Sequence, residues 1–204
     1  MAKISTYPVD SSISPRDLLI GSDADDVNIT KNYKIGDIAA YTKSTLNLGV
    51  TQVLAATDTT DQEPAGLDTP LQVTFGPAQN GPTDPVQLDA LGNITFNQAG
   101  LYLFNGYANF ERQGSSGGVT VTLFRALING VQVSPTKGVD LSNTGIMFPY
   151  ELTIPIQVNV GDVLTWEIMR DSSGVNNGGL YTHTVLGGWS DVPSADVFIY
   201  KVGV

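Results

Sequence analysis

His183 is the only histidine in the chain, and cysteine is absent. A nucleophilic triad would have to take His183 as its base. Tyr181, Thr182 and Thr184 surround it in a strand-like stretch. No serine stands on the strand-to-helix turn that a nucleophile elbow requires. His183 therefore reads as a histidine on a strand near the surface. Carboxylates gather in two places. Asp23, Asp25, Asp26 and Asn28 have the chemistry of Ca²⁺ ligands but lack the glycine and distal glutamate of a calcium loop, so they read as an acidic turn. Asp58, Asp61 and Glu63 read as a solvated loop. Glu111, Glu151 and Glu167 all fall on predicted strands and are expected to face water. No Gly-Lys-Ser/Thr phosphate loop occurs, and Gly114–Gly118 lies between strands and opens no helix. The expectation is a protein with no catalytic residues, no metal and no cofactor.

Composition narrows the class further. The 204 residues carry a formal net charge of −10, with 41% hydrophobic and 15% charged residues. The charge is uneven: residues 1–45 hold five Lys/Arg against six Asp/Glu, and residues 46–204 hold five against fourteen. An acidic body lacks the cationic field that phosphate backbones and anionic lipids attract, so no nucleic acid and no membrane is expected as a partner. Without cysteine, disulfides and thiolate metal sites are excluded. The first residues lack the apolar run of a signal peptide, and no segment approaches the roughly 20 apolar residues of a membrane span. Synthesis as a soluble protein is the expectation.

The elements that would position any site are short strands. Glycine (22) and proline (11) punctuate the chain often, as in folds of many strands and tight turns. Leu71–Phe75 alternates as a strand, and Val86–Asp89 and Asn93–Phe96 are short ones. Leu101–Glu111 is long, with Tyr102, Phe104, Ala108 and Phe110 on one face. In Val119–Ile128, Val119, Val121 and Leu123 alternate against Thr120 and Thr122, and Asn129-Gly130 then signals a hairpin to Val131–Val133. Leu152, Ile154, Ile156 and Val158 share a face opposite Thr153, Pro155 and Gln157, and Pro155 points to an edge or a bulge. Gly161-Asp162 turns the chain into Val163–Met169, where Leu164, Trp166 and Ile168 share a face. Asp171–Gly179 is a polar loop, and Thr182–Val185 is a short strand. The last strand, Ala195–Val202, has Val197 and Ile199 on one face and Phe198 and Tyr200 on the other. Both faces are apolar, which predicts that a neighbour covers the second one.

Residues 1–45 differ. Ile4, Tyr7, Val9 and Ile13 are spaced apolar anchors, Leu18-Leu19-Ile20 ends at Gly21, Val27–Thr30 alternates, and Gly36–Tyr41 suits one or two helical turns. These residues are too few to form a core alone and must bury their anchors elsewhere. Residues 55–70 have the composition of a linker or loop. The predicted organisation is an arm over 1–45, a linker and first-strand region over 46–70, and an all-β sandwich or jelly roll over 71–204.

Several segments carry resemblances. Gly92–Phe104, Leu123–Gly130, Val158–Trp166 and Val197–Tyr200 follow one another in an order that resembles the C1q/tumour-necrosis-factor jelly roll. The order and spacing of these pieces carry the likeness. It implies a C1q/TNF-like fold that assembles as a homotrimer, with Tyr102, Phe104, Phe198 and Tyr200 in the core or at the trimer contact. No collagen repeat precedes the domain, unlike in animal members. Lys3-Ile4-Ser5, Asp17–Asp23 and Asn28–Ile38 are together similar to N-terminal arms of tailed-phage virion proteins. That resemblance implies virion docking through Ile4, Leu18, Leu19, Ile20, Tyr33, Ile35 and Ile38. It implies a capsid decoration (cement) protein or head fibre of a bacteriophage, made in the host cytoplasm and carried on the virion surface. Its partners would be its own copies and the major capsid protein or another virion protein. The alternative is a tail-associated module that binds a host surface glycan or receptor through the loops Gly114–Gly118, Asp140–Gly145 and Asp171–Gly179.

Overall fold

The computed structural model describes residues 15–16, 18–23, 29–45, 49–78, 84–114 and 117–203. The chain divides between Gly49 and Val50 into two compact units, with Gly203 in the first. In the first unit, β1 (Leu18–Asp23) and β2 (Ile29–Lys34) pair antiparallel, from Leu18 opposite Lys34 to Asp23 opposite Ile29. The apolar triplet ends at Gly21, but the strand continues past it: Gly21 pairs with Lys31, and the ladder runs on to Asp23. Of the strand expected over Val27–Thr30, Ile29 and Thr30 lie in β2, and Val27 and Asn28 lie outside the described residues. Helix α1 (Ile35–Thr45) follows directly and extends beyond the one or two turns expected over Gly36–Tyr41. Ala39 and Ala40 favour helix, no proline intervenes, and Asp37 sits in the first turn where a carboxylate meets the positive end of the helix dipole. No helix of the described residues is long and apolar enough to cross a membrane.

The second unit, Val50–Val202, is an all-β sandwich. Its strands are β3 (Val50–Asp58), β4 (Leu71–Gln72), β5 (Val86–Leu88), β6 (Ile94–Phe96), β7 (Gly100–Arg112), β8 (Thr120–Ile128), β9 (Val131–Gln132), β10 (Lys137–Leu141), β11 (Phe148–Val158), β12 (Val163–Arg170), β13 (Gly178–Leu180) and β14 (Ala195–Val202). One sheet runs β11-β7-β14-β3, with β13 beside β7. The other runs β10-β8-β12-β6-β5, with β4 beside β12 and β9 beside β8. The chain crosses between sheets from β3 to β4, β6 to β7, β7 to β8, β10 to β11, β11 to β12 and β12 to β13. That repeated crossing is the jelly-roll winding.

The compact unit begins earlier than 71. Residues 55–58 belong to β3, which pairs with β14 along its whole length, so the linker composition holds only beyond Asp58. Leu54 and Ala56 are buried against the opposite sheet, and this burial outweighs the turn-forming residues that follow. The strand expected over Leu71–Phe75 pairs only at Leu71 and Gln72. Val73 and Phe75 still reach the core, with Val73 N–H bonded to Trp166 C=O at 2.8 Å. In β8 the threonine parity faces inward. Thr120 and Thr122 are buried and Val119 is exposed, because Phe124 and Ala126 share the threonine parity and fill the core. Pro155 lies in β11, an edge strand, where a missing N–H costs no ladder bond.

Trp166 anchors the centre of the core, with ring centroids of Phe75, Phe104 and Phe124 at 5.9, 6.1 and 5.8 Å. Asn129-Gly130 makes the tight turn between β8 and β9. Its Asn129 Nδ2 donates to Asp162 Oδ1 at 2.8 Å, so the two sequence-marked turns brace each other. The Asn159 N–H and the Asn129 amide hold the Asp162 carboxyl below its usual pKa.

Candidate functional site

Strand alternation assigns β7 two faces. Tyr102, Phe104, Ala108 and Phe110 point into the sandwich and are fully buried. Leu101, Leu103, Asn105, Tyr107, Asn109 and Glu111 point away from it. On the neighbouring β14, Val197 and Ile199 are core residues, while Asp196, Phe198 and Tyr200 share the outward face. Register places Phe198 between Asn105 and Ala55, Tyr200 between Leu103 and Gln52, and Asp196 between Tyr107 and Thr57. Leu103, Tyr107, Phe198 and Tyr200 are each half-buried and form an aromatic and aliphatic strip across the middle of this sheet. Of the four aromatics singled out from sequence, Tyr102 and Phe104 therefore belong to the core, and Phe198 and Tyr200 to the outward strip.

Asp196 gives the strip its one acid. Burial raises its carboxyl pKa and a hydrogen bond to Thr57 opposes the shift, while Oδ1 is buried with no partner. Burial likewise raises the Tyr107 hydroxyl, which bonds to Asn109 Oδ1 at 3.1 Å. A half-dry, uncharged strip around one hard-to-ionise acid suits apolar protein contact.

The outward face is not bare along its whole length. Asn109 and Glu111 have outward parity yet are buried. The segment between β13 and β14 covers them. Asn109 Nδ2 donates to Pro193 C=O at 2.6 Å, and His183 Nε2 lies 2.9 Å from Glu111 Oε2. Gln113 Nε2 donates to Glu111 Oε1 at 2.9 Å. Glu111 thus does not face water as expected, because a loop distant in sequence folds over it. His183 is not in a strand either. It makes a single bridge with Val192 that closes a hairpin. Glu151 is exposed and accepts from Asn105 Nδ2 at 2.7 Å, and Glu167 pairs with Arg125 at 2.8 Å.

Three loops meet at the end of the sandwich where β7 stops and β8 starts. Two buried arginines hold them. Arg112 donates through Nη1 to Gly118 C=O and to Ser142 C=O, the latter at 3.1 Å. Arg170 donates through Nε to Gly178 C=O, through Nη1 to Asn176 Oδ1 at 2.9 Å, and through Nη2 to Glu63 at 3.0 Å. The segments Gly114–Gly118, Asp140–Gly145 and Asp171–Gly179 are thereby brought together, as far as they are described. Gly178 and Gly179 of the third belong to β13. Sequence reasoning missed both arginines as organisers. Their signal was a basic residue at the end of a core-facing parity in β7 and in β12.

The acids Asp58, Asp61 and Glu63 do not converge. Asp58 accepts from Thr60 and Thr74, Asp61 from Thr182, and Glu63 from Arg170. Among the described residues no group of three metal-ligating side chains gathers. On the far sheet, Leu123 and Met169 floor a groove of about 180 Å³ walled by Pro70 and Thr136. It is smaller than the ~300–1,000 Å³ typical of small-molecule sites.

In the first unit Leu19 and Ile38 are exposed, and Tyr33 and Ile35 are half-buried. Leu18 and Ile20 are described by backbone pairing alone. Ile4 lies outside the described residues, as do Asp25, Asp26 and Asn28.

No family model and no curated protein matches the chain. Among solved structures, it is similar to the globular domain of zebrafish complement 1qA, at 13% identity and TM-score 0.45. That match covers 74% of this chain and 97% of the other. It is also similar to Eiger TNF from S. frugiperda, at 11% identity and TM-score 0.45, covering 76% of this chain and 93% of the other. The jelly-roll assignment rests on the strand order itself.

Proposed function

We propose that this chain is a structural, non-enzymatic virion protein. It is a homotrimeric capsid decoration protein or head fibre, which docks through residues 1–45 and displays the jelly roll outward. The observation that carries the self-assembly reading is the outward strip of Leu103, Tyr107, Phe198 and Tyr200. These side chains sit in the middle of a sheet and stay half-exposed in the isolated chain. Burying such a strip is favourable at about 25 cal/mol per Å² of apolar surface. The docking half of the reading is supported by the arm's likeness to phage virion arms, and by Leu19 and Ile38, which stand exposed there. Three linked arms would bind a capsid far more tightly than one.

A tail-associated receptor-binding module is the second reading. The gathering of three polar loops by Arg112 and Arg170 favours it, since binding residues concentrate on loops held by a rigid scaffold.

Light scattering on the full chain tests the assembly, with a trimer expected at micromolar concentration. Gold-labelled antibody on purified particles tests the docking. Many labels over the head support decoration. A few labels at the tail move the protein to the second reading. A chain absent from particles overturns both.

A further inference from the structure

The hairpin closed by the His183–Val192 bridge carries the two most exposed large apolar side chains of those identified, Leu186 at 86% and Trp189 at 79%. Val185–Ser190 contains no charged residue. Asp191 stands beside that tip, and its carboxylate accepts the Val185 N–H at 2.9 Å. An uncharged tip that presents a tryptophan to solvent has the composition of an interface anchor. The root of the hairpin gives its direction. It is fastened to Glu111 and Asn109, which lie on the outward parity of β7, the same face as Leu103 and Tyr107. A neighbour that covers the aromatic strip is therefore within reach of the hairpin standing at the strip's end.

We propose that this hairpin is a subunit clasp. Trp189 and Leu186 of one protomer pack on a second copy of this chain, beside the β7/β14 strip. The proposal rests on the self-assembly reading above and adds the contact that tightens it. The second copy follows from the hairpin's place at the end of the strip that copies would share. The chain carries −10, and the strip (apart from Asp196) and the tip are surfaces without charge, so two copies can meet there without bringing like charges together.

The chain has two tryptophans, and Trp166 is fully buried. The difference spectrum between wild type and W189F therefore reports Trp189 alone. At concentrations where light scattering gives a trimer, Trp189 should emit in the blue and resist iodide quenching. On dilution to monomer it should shift to the red. W189S and L186S should raise the subunit concentration at half-dissociation at least tenfold, with an unchanged far-UV circular dichroism spectrum. A trimer in which Trp189 stays red-emitting and quenchable, and in which W189S assembles normally, overturns the clasp and leaves self-assembly standing. A chain that is monomeric at every concentration overturns both.

Discussion

At Gly106 in β7, an added Cβ would come within 2.7 Å of both Phe104 Cζ and Trp166 Cζ3. Those rings are locked in the aromatic centre of the core, so the methyl has nowhere to go. Gly106→Ala is expected to lose about 1–3 kcal/mol. At about 2–4 °C per kcal/mol for a domain of this size, thermal melting resolves that loss. Asp196 predicts the opposite sign. Burial raises its pKa in the folded chain above the unfolded value, so folding takes up a proton there. The stability this gives is complete below the unfolded pKa and is lost as pH rises through the folded one. Asp196→Asn should therefore match wild type near pH 3 and melt at a higher temperature at pH 7. A parallel series of melts from pH 3 to 7 reads the difference. Trp166 Nε1 is also buried without a partner, and the structure shows no compensating contact.

Among the elements, the 183–192 hairpin depends on a polar anchor. Glu111 has a side chain 3% exposed and His183 one 47% exposed. Removing the histidine strands a buried carboxylate that keeps only Gln113. Replacing the carboxylate by an amide keeps a hydrogen bond. His183→Ala should therefore cost about 1–3 kcal/mol in urea unfolding, and Glu111→Gln less. Amide exchange at His183 and Val192, which bond to each other at 3.0 and 2.8 Å, should quicken in His183→Ala before the core strands respond. The turns were easier to read than the hairpin. Asn129-Gly130 and Gly161-Asp162 announce themselves because turn chemistry is local. The cover over Glu111 comes from 72 residues away in sequence, and no local pattern reports it.

For the molecule as a whole, the strip across β7 and β14 is the surface that would decide assembly. If copies pair through this strip, as proposed, Phe198→Arg or Tyr200→Arg places a cation in the middle of their contact. Either substitution should convert the trimer to monomer in light scattering while circular dichroism and melting stay close to wild type, since neither side chain is in the core. A trimer that survives both would move the interface elsewhere.

Period-two alternation with turn residues at each break was enough to call an all-β sandwich and to locate most strands, because side-chain direction in a strand depends only on parity. The aromatic pair Phe198 and Tyr200 was readable as a second apolar face for the same reason. Tertiary structure alone decided the rest. It turned Thr120 and Thr122 inward because Phe124 on the same parity had to meet Trp166. It drew Val50–Asp58 into the sheet because β14 needed an edge partner. It buried Glu111 under a distant hairpin and brought three loops onto two arginines. These outcomes depend on which residues meet across the sandwich, and pairing between distant segments is settled by the packing of the whole core.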